Sequence, residues 1–198
     1  QLETELPQAG AVSLVVSWFG DDLRCASCEI RPKVEQTARD GVGMPWRSGG
    51  IARAAAQTVP VVDGASVYGG TPADAAVIEA IQALAARGKD VMFYPFILMD
   101  QVAGNTLTDP WTGAGTQPAL PWRGRITLSV APGRDGSPDQ GASAAAEVAA
   151  FFGTAEPGDF AINGRTITYS GPAEWSYRRF ILHCAAVCVA AGGVESFC

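Results

Sequence analysis

Three aspartates directly follow long apolar runs of the chain, and a carboxylate in that position could take part in a reaction. Asp21 and Asp22 come after AVSLVVSWFG, and Asp100 comes after VMFYPFILM. If each run is a buried strand, its end delivers the carboxylate to one edge of a sheet, where it can act as an acid, a base or a ligand. The alternative is that all three are turn residues, which accept hydrogen bonds from the loop backbone.

Four of the five cysteines have spacings that could bind a metal. Cys25 and Cys28 have the spacing of half a zinc site, and Cys184 and Cys188 lie four residues apart on a predicted helix. The stronger interpretation is structural, because HCAAVCVAA is apolar and cysteine packs there as a small hydrophobic residue. We therefore predict no metal and no cofactor, with a Cys25–Cys28 disulfide as an alternative under oxidising conditions.

The remaining chemical motifs favour structural roles. His183 is the single histidine, and its place in an apolar helix indicates packing rather than a Ser–His–Asp or Cys–His site. Gly69 and Gly70 precede a helix but match neither of the common phosphate-binding loops, so we interpret them as part of a turn.

The segments that must position these residues alternate between strand and helix. Residues 11–19 and 91–99 predict strands, and TPADAAVIEAIQALAARG between them predicts a helix that Thr71 caps. CEIRPKVEQTARD is expected to hold a short helix, and TVPVVDGASVY an irregular strand. The irregular strand at 58–68, the helix and the strand at 91–99 are joined by short links, and this order indicates a parallel sheet.

The second half of the chain continues this order after a polar stretch from Gly104 to about Arg123. Helices are predicted at 143–153 and 172–193, and FAINGRTITYS between them predicts a hairpin with a turn at Asn163–Gly164. The last five residues, VESFC, begin another strand. The chain therefore contains about four β/α units.

Composition limits the classes of protein to which the chain can belong. Its 198 residues are 47% hydrophobic and 17% charged, which predicts one globular domain. A net charge of −6 argues against binding to nucleic acid or to an anionic membrane surface. No apolar run is long enough to cross a bilayer. Because the chain begins with Gln1, we expect it to be part of a longer polypeptide.

Several long motifs, taken in order, resemble one family. They are SLVVSWFGDDLRC-x-x-C, PWR, VYGGTPAD, VMFYPFILMD, QPALPWRGRIT, AAAEVAAFFG and WSYRRFILHCA-x-x-CVAAGGVESF. Together they resemble the TIM-barrel-like domain, also described as glycoside hydrolase/phage tail, of the baseplate protein called megatron in gene transfer agents and related tailed phages. The resemblance covers nearly the whole chain. It implies an α/β fold in which residues 1–198 form the N-terminal half of a (β/α)8 TIM-type barrel, about four βα units with an insertion between strands 3 and 4.

Barrel geometry would give the carboxylates a common place, because the carboxyl ends of parallel strands open on the functional face. Aromatic side chains near those ends would offer flat faces to sugar rings. The predicted substrate-binding residues are Trp18, Asp21, Asp22, Tyr94, Asp100 and Trp122. The tryptophans of the two PWR motifs, Trp46 and Trp122, suit either sugar stacking or packing of loops.

The resemblance does not by itself imply a catalyst. Glycoside hydrolysis needs two carboxyl groups that flank the bond, and in the barrel glycosidases that this domain resembles they stand at the ends of strands four and seven. Here strand four only begins at Val194, and Glu195 lies near its start. We therefore expect no catalytic residue in this chain and no hydrolysis by it alone.

The implied function is that of a structural component of a gene transfer agent or phage tail baseplate, involved in attachment to and penetration of the host cell envelope and in DNA delivery. Expected partners are other baseplate and tail proteins, the rest of the polypeptide and host-surface glycan, without direct contact to nucleic acid. The expected location is the virion, after synthesis in the bacterial cytoplasm. The alternatives are a glycoside hydrolase that degrades cell-surface glycan or peptidoglycan, and a non-catalytic carbohydrate-binding domain.

Overall fold

The computed structural model describes residues 2–198. Among them no helix is both long and apolar enough to span a membrane. The helices in this part of the chain are α1 Leu2–Glu5, α2 Asp74–Ala85, α3 Ala142–Phe152 and α4 Tyr177–Ala190. The strands are β1 Ala11–Gly20, β2 Ile30–Arg31, β3 Lys33–Val34, β4 Arg47–Ser48, β5 Ile51–Ala52, β6 Gln57–Thr58, β7 Val61–Val62, β8 Ala65–Ser66, β9 Asp90–Met99, β10 Phe160–Asn163, β11 Thr166–Tyr169 and β12 Ser196–Phe197.

The main sheet has the strand order β12–β9–β1–β2. β1 and β9 run parallel over ten residues each, in a register that pairs Ala11 with Asp90 and Gly20 with Met99. β12 is parallel to β9, whereas β2 is antiparallel to β1. The strands predicted at 11–19 and 91–99 are therefore confirmed, as is a parallel arrangement of the two.

Pro95 lies inside β9 without interrupting its pairing to β1. The backbone amides of Asp90 and Asp100 donate to β1 or its flanking residues, whereas the carbonyls of Val91 and Phe93 accept from the segment that contains β12. Even-numbered residues of β9 thus direct their backbone groups toward β1, and odd-numbered residues direct theirs to the other edge. The missing N–H of a proline is tolerated at an odd position because β1 needs no donor from it.

Helices α2 and α4 cover one face of the sheet and form the core with it. The buried side chains of α2 are Val77, Ile78 and Ile81, which confirms the apolar stripe predicted for this helix. However, α2 begins after Ala73 without a side-chain cap, so the prediction that Thr71 caps it is wrong. The Thr71 hydroxyl instead donates to the Ser17 carbonyl and accepts from the Lys33 amide, and Thr71 lies before Ala73, the residue that precedes the first turn of α2.

The prediction of a half barrel is wrong. A barrel repeats one strand and one helix, but the segment between β1 and α2 consists of one 3-10 turn at Cys25–Ser27, another at Arg53–Ala55 and very short strands. The described residues form a mixed α/β fold with three helices of 11 to 14 residues, many short strands in small sheets and no closed barrel. The sheet also ends on the antiparallel strand β2, which is not a βα unit.

Outside the main sheet, some predictions of secondary structure are confirmed and others are wrong. CEIRPKVEQTARD is not helical, because Pro32 separates two short strands, β2 and β3, and cannot sit inside a helix. The irregular strand expected at 58–68 divides into fragments, of which β7 and β8 form a hairpin. The hairpin predicted in FAINGRTITYS is confirmed as β10–β11, with Asn163 paired to Thr166. The helices predicted near the end of the chain are confirmed as α3 and α4.

Candidate functional site

Two of the predicted site residues leave the main sheet at the same edge. Gly20 pairs with Met99, and the Asp100 amide donates to the Gly20 carbonyl at 3.1 Å, so Asp21 and Asp100 follow neighbouring strand ends. Glu195 lies at the opposite end of the sheet, where its amide donates to the Val91 carbonyl. We call the edge that carries Asp21, Asp22 and Asp100 the carboxyl edge.

Lys33 forms a buried ion pair with Asp100, which the sequence analysis did not predict. The Lys33 Nζ lies 2.6 Å from Asp100 Oδ2, and both side chains are less than a tenth exposed. The backbone of Lys33 is fixed on both sides by Thr71, whose hydroxyl accepts from its amide and whose amide donates to its carbonyl. A buried carboxylate needs such a partner, because leaving either charge unpaired in the interior costs several kcal/mol.

Asp21 is the carboxylate of this edge that stays half-exposed. Its Oδ1 accepts a hydrogen bond from the Glu29 amide at 2.8 Å. Burial raises the pKa of Asp21, against the opposing effects of the Glu29 hydrogen bond and the charge of Lys33. Asp21 is therefore a hydrogen-bonding group within reach of solvent that keeps a proton to higher pH than a free aspartate.

Asp22 is buried and has its partners within the protein. Arg24 binds both of its carboxylate oxygens, with Nη2 2.6 Å from Oδ2, and Gln117 Nε2 donates to Oδ1 at 2.7 Å. Burial would raise the pKa of Asp22, but the hydrogen bonds from Arg24 and Gln117 outweigh it and lower the pKa. Asp22 was predicted to contact a ligand, but its carboxylate is already bound by an arginine and a glutamine of the protein.

Gln117 connects the long loop after β9 to the carboxyl edge. Besides bonding Asp22, its side chain accepts from the Leu23 amide and from Gln101 Nε2, each at 3.0 Å, and donates to the Thr108 carbonyl. These bonds satisfy a buried amide completely, which fixes the loop without a helix or strand. Sequence reasoning missed Gln117 because it stands in a polar stretch that carries no periodic signal.

Trp122 presents an exposed ring beside the carboxyl edge. Its side chain is 68% exposed, yet its ring packs over Gly124, where an added Cβ would come within 2.6 Å of three ring atoms. Trp122 borders a cavity of about 240 Å³ together with Tyr68 and Met99. The Tyr68 hydroxyl lies 3.4 Å from the Met99 carbonyl, next to Asp100, and burial and the negative charge of Asp100 both raise the pKa of Tyr68.

The other predicted aromatic residues do not join Trp122. Trp18 is completely buried against Trp175, Phe180 and His183, so its ring cannot stack on a sugar, contrary to the prediction. Tyr94 lies in the middle of β9, half-buried, with its hydroxyl 3.4 Å from Arg123 Nη2.

The tryptophans of the two PWR motifs have different environments. Trp46 is buried and its indole N–H donates to the Thr71 carbonyl at 2.7 Å, which is loop packing. Trp122 is exposed and borders the cavity described above. Of the two roles that the sequence left open, Trp46 therefore has loop packing, whereas the ring of Trp122 is free to stack on a ligand.

The cysteines do not add chemistry to the site. All five are free thiols, so the alternative Cys25–Cys28 disulfide is not formed. Burial raises the pKa of Cys28 to about 12, which keeps it an unreactive thiol. Among the side chains that the structure describes, those of residues 4–198, no cluster of three or more His, Cys, Asp or Glu could hold a metal ion.

The arrangement combines one flat aromatic face, a half-exposed carboxylate and buried ion pairs that fix the surrounding backbone. Such a surface can bind a polar, ring-shaped molecule, because the aromatic ring contacts apolar C–H groups while the carboxylate accepts hydrogen bonds. No protein-family model matches the chain, and the curated proteins searched contain no significant match to it.

Proposed function

We propose that the chain is a structural component of a gene transfer agent or phage tail baseplate, and that its carboxyl edge faces the host cell envelope. The baseplate assignment is supported by the ordered motifs from SLVVSWFGDD to CVAAGGVESF, whose resemblance to that family spans nearly the whole sequence. The observation that carries the host-directed role is Trp122, an exposed ring that packs over Gly124 and borders a cavity with Met99, the residue before Asp100.

Glycan is the envelope ligand that this edge fits. The exposed ring of Trp122 leaves apolar surface in water, and a sugar that stacks on the ring would remove part of this surface from solvent. Asp100 and Asp22 are neutralised by Lys33 and Arg24, so the edge would present little repulsion to acidic surface polysaccharides. Asp21 supplies an acceptor for sugar hydroxyl groups.

Hydrolysis of the glycan is the second candidate, and one observation favours it. The raised pKa of Asp21 suits a general acid. However, the mechanism needs a second carboxylate free to reach the sugar, and Asp100 is 5% exposed and bound to Lys33. We therefore propose binding without turnover by these 198 residues.

The baseplate assignment is tested by locating the chain in particles. Antibodies raised against residues 1–198 are applied to purified particles and viewed with gold labels by electron microscopy. Labels confined to the tail tip are the expected result. Labels on the capsid, or none on particles while the cell lysate reacts, would overturn the assignment.

The glycan role is tested separately by co-sedimentation of the purified chain with peptidoglycan and with capsular polysaccharide. Trp122→Ala should weaken binding by roughly threefold to tenfold, the usual worth of an aromatic contact. Trp111→Ala is the matched control, because Trp111 is an exposed tryptophan of the same loop whose indole bonds the Arg125 carbonyl. Equal losses in both variants, or no binding by the unmodified chain, would contradict a glycan site at Trp122. Release of soluble sugar that stops on Asp21→Asn would instead favour the hydrolase.

A further inference from the structure

Arg123 lies on the wall that two neighbouring cavities share. It begins the 3-10 turn Arg123–Arg125 and directly follows Trp122. One cavity, of about 240 Å³, is the one that Trp122 borders, and the other, of about 390 Å³, runs along the edge of β9 that faces away from β1. Ile97 and Arg123 line both cavities. A molecule bound in either cavity can therefore contact Arg123.

Arg123 is the charged side chain in an otherwise uncharged lining. Within the described part of the chain, the other side chains around the two cavities are apolar, aromatic or neutral. Phe151 and Tyr177 contribute rings to the larger cavity, and Tyr68 and Trp122 contribute rings to the smaller one. Such linings are typical of small-molecule sites, in which a few polar groups fix the orientation of the ligand. A single positive charge among them favours a ligand with an anionic group.

The protein does not itself supply an anion to Arg123. Among residues 4–198, no Asp or Glu carboxylate lies within ion-pair distance of Arg123, whereas Arg24 and Arg31 each bind one. The Arg123 Nη2 donates to the Tyr94 hydroxyl at 3.4 Å, and its other N–H groups have no acceptor in this part of the chain. A guanidinium carries several donors in a planar fork that matches a carboxylate or a phosphate. Arg123 can therefore still form paired hydrogen bonds with such a group.

Two aromatic side chains of β9 hold the guanidinium in place. Its Cζ lies 3.9 Å from the centre of the Phe96 ring, and the Tyr94 hydroxyl accepts from its Nη2. Contact with an aromatic face leaves the N–H groups of a guanidinium able to donate. Because Arg123 is half-buried and stacked, it loses less conformational freedom on binding an anion than a mobile surface arginine would.

The charge of the whole chain limits the kind of anion that this site can take. A net charge of −6 repels a polyanion at long range, so a ligand with one anionic group fits better than a highly charged polymer. Repulsion at short range is small, because Lys33 neutralises Asp100, which directly follows Met99 in the wall of the smaller cavity.

We propose that Arg123 binds the anionic group of an acidic sugar, a carboxylate or a phosphate, while the sugar ring stacks on Trp122. The inference rests on the proposed glycan role of Trp122, and it names the class of sugar that this site takes. Trp122 and Arg123 border the same cavity, so one sugar can meet both side chains. The aromatic ring contacts the C–H face of the sugar, and the guanidinium donates paired hydrogen bonds to its acidic group.

The test is an NMR titration of the ¹⁵N-labelled chain with glucose, glucuronic acid and glucose-6-phosphate. These three sugars differ only in the group on the carbon outside the ring, which is neutral, a carboxylate or a phosphate. At least one acidic sugar should bind roughly threefold to tenfold more tightly than glucose. Its binding should shift the Trp122 indole signal together with the Arg123 Nε–H signal. The tighter of the two acidic sugars identifies the anionic group that the site prefers.

Two outcomes overturn the inference. One is an equal affinity for all three sugars, and the other is tighter binding of an acidic sugar without any change at the Arg123 Nε–H signal. If glucose shifts the Trp122 signal as strongly as the acidic sugars do, the preference for acidic sugars is refuted while the glycan role stands. If none of the three binds, the inference fails, and the glycan role is decided by the co-sedimentation with polymers.

Variants separate recognition of the anion from packing of the turn onto β9. Arg123→Gln should abolish the preference for the acidic sugar and keep the affinity for glucose, whereas Arg123→Lys keeps the charge and should retain part of the preference. Arg87→Gln is the matched control, because Arg87 is an exposed arginine near the opposite end of β9 that bonds the Ala83 carbonyl. An unchanged preference in Arg123→Gln would contradict the proposal. If that variant fails to fold, the three titrations of the unmodified chain still decide.

Discussion

Lys33 and Asp100 each lie almost completely out of solvent, and each is tolerated there because the other is present. Asp22 depends in the same way on Arg24 and Gln117. The residues that build the carboxyl edge are thus mostly structural, and Asp21 and Trp122 are left to meet a ligand. The predicted list of site residues did not distinguish structural carboxylates from ligand-binding ones, because the sequence pattern of an aspartate after a strand is the same for both roles.

Removal of the amine of Lys33 should destabilise the fold strongly. Lys33→Met leaves Asp100 buried without a partner, and we expect the free energy of unfolding to fall by about 3–5 kcal/mol in urea denaturation. The double variant Lys33→Met, Asp100→Leu should recover much of the loss. Lys89→Met, at the half-buried other lysine, is the control and should cost less than about 0.5 kcal/mol. Similar losses at both lysines would contradict a stabilising pair.

Asp22 should give the fold an acid-sensitive contribution to stability. Its pKa is lowered in the folded chain, so its contribution is complete above the ordinary aspartate pKa of about 3.9 and is lost as the pH falls through the lower folded value. Unfolding measured between about pH 7 and pH 2.5 should therefore show a weaker pH dependence in Asp22→Asn.

Asp21 provides a comparison of opposite sign. Its pKa is raised by burial, so its ionisation reduces stability as the pH rises through the folded value. Asp21→Asn should remove that loss. Parallel curves for both variants and the unmodified chain would show that neither carboxylate is perturbed.

At the scale of elements, the loop from Gly104 to Arg123 is ordered by side chains instead of by a backbone ladder. Gln117 bonds to Asp22, Leu23, Gln101 and Thr108 and so ties this loop to the ends of β1 and β9. Trp122 lies near the end of the same loop. The position of the exposed ring therefore depends on a buried glutamine several residues away.

Gln117→Ala should release this loop while the sheet stays formed. It leaves the Leu23 amide and the Asp22 carboxylate each without one partner, at a cost of about 1–3 kcal/mol. Hydrogen exchange by mass spectrometry should show faster exchange in residues 104–123 and unchanged protection in β1 and β9. Gln140→Ala, at an exposed glutamine, is the matched control. Faster exchange across the whole chain would point to global unfolding and contradict a local anchor.

For the molecule as a whole, the outer edge of β9, which faces away from β1, is the feature that we expect to govern association between chains. Within residues 2–198, β12 pairs only with Met92 and Phe93, although β9 continues to Met99. A cavity of about 390 Å³ lies along this edge, and its lining includes the apolar side chains of Ile97, Phe151 and Phe180 beside Tyr94 and Arg123. An unpaired strand edge with apolar surroundings favours association between chains.

We therefore expect the 198-residue chain to self-associate as its concentration rises. Phe197, on β12 and 40% exposed, borders this surface, so Phe197→Lys should shift sedimentation velocity profiles toward the monomer. Val42→Lys adds the same charge at a fully exposed valine of a loop and serves as the control. If Val42→Lys has the same effect, net charge and not the β9 edge governs association.

The sequence by itself determined the secondary-structure elements that are specified by the pattern of neighbouring residues. The apolar runs at 11–19 and 91–99, the stripe of α2 and the β-prone runs around Asn163 each contain enough neighbouring residues to specify a strand, a helix or a hairpin. Short links between the helix α2 and the strands predicted on either side of it indicated a parallel sheet, and the structure shows the parallel pair to be β1 and β9. The common position of Asp21 and Asp100 is a consequence of that pairing.

Only the tertiary structure decided which side chains are buried and which partners they find. Gln117 and Asp22 are 95 positions apart, and His183 and Gly49 are 134 apart, so no window of sequence contains either pair. The burial of Trp18, the exposure of Trp122 and the absence of a closed barrel in the described part of the chain have the same cause. Each depends on contacts between distant segments, and the free energy of such contacts is set by the packing of the whole chain and not by local residue pattern.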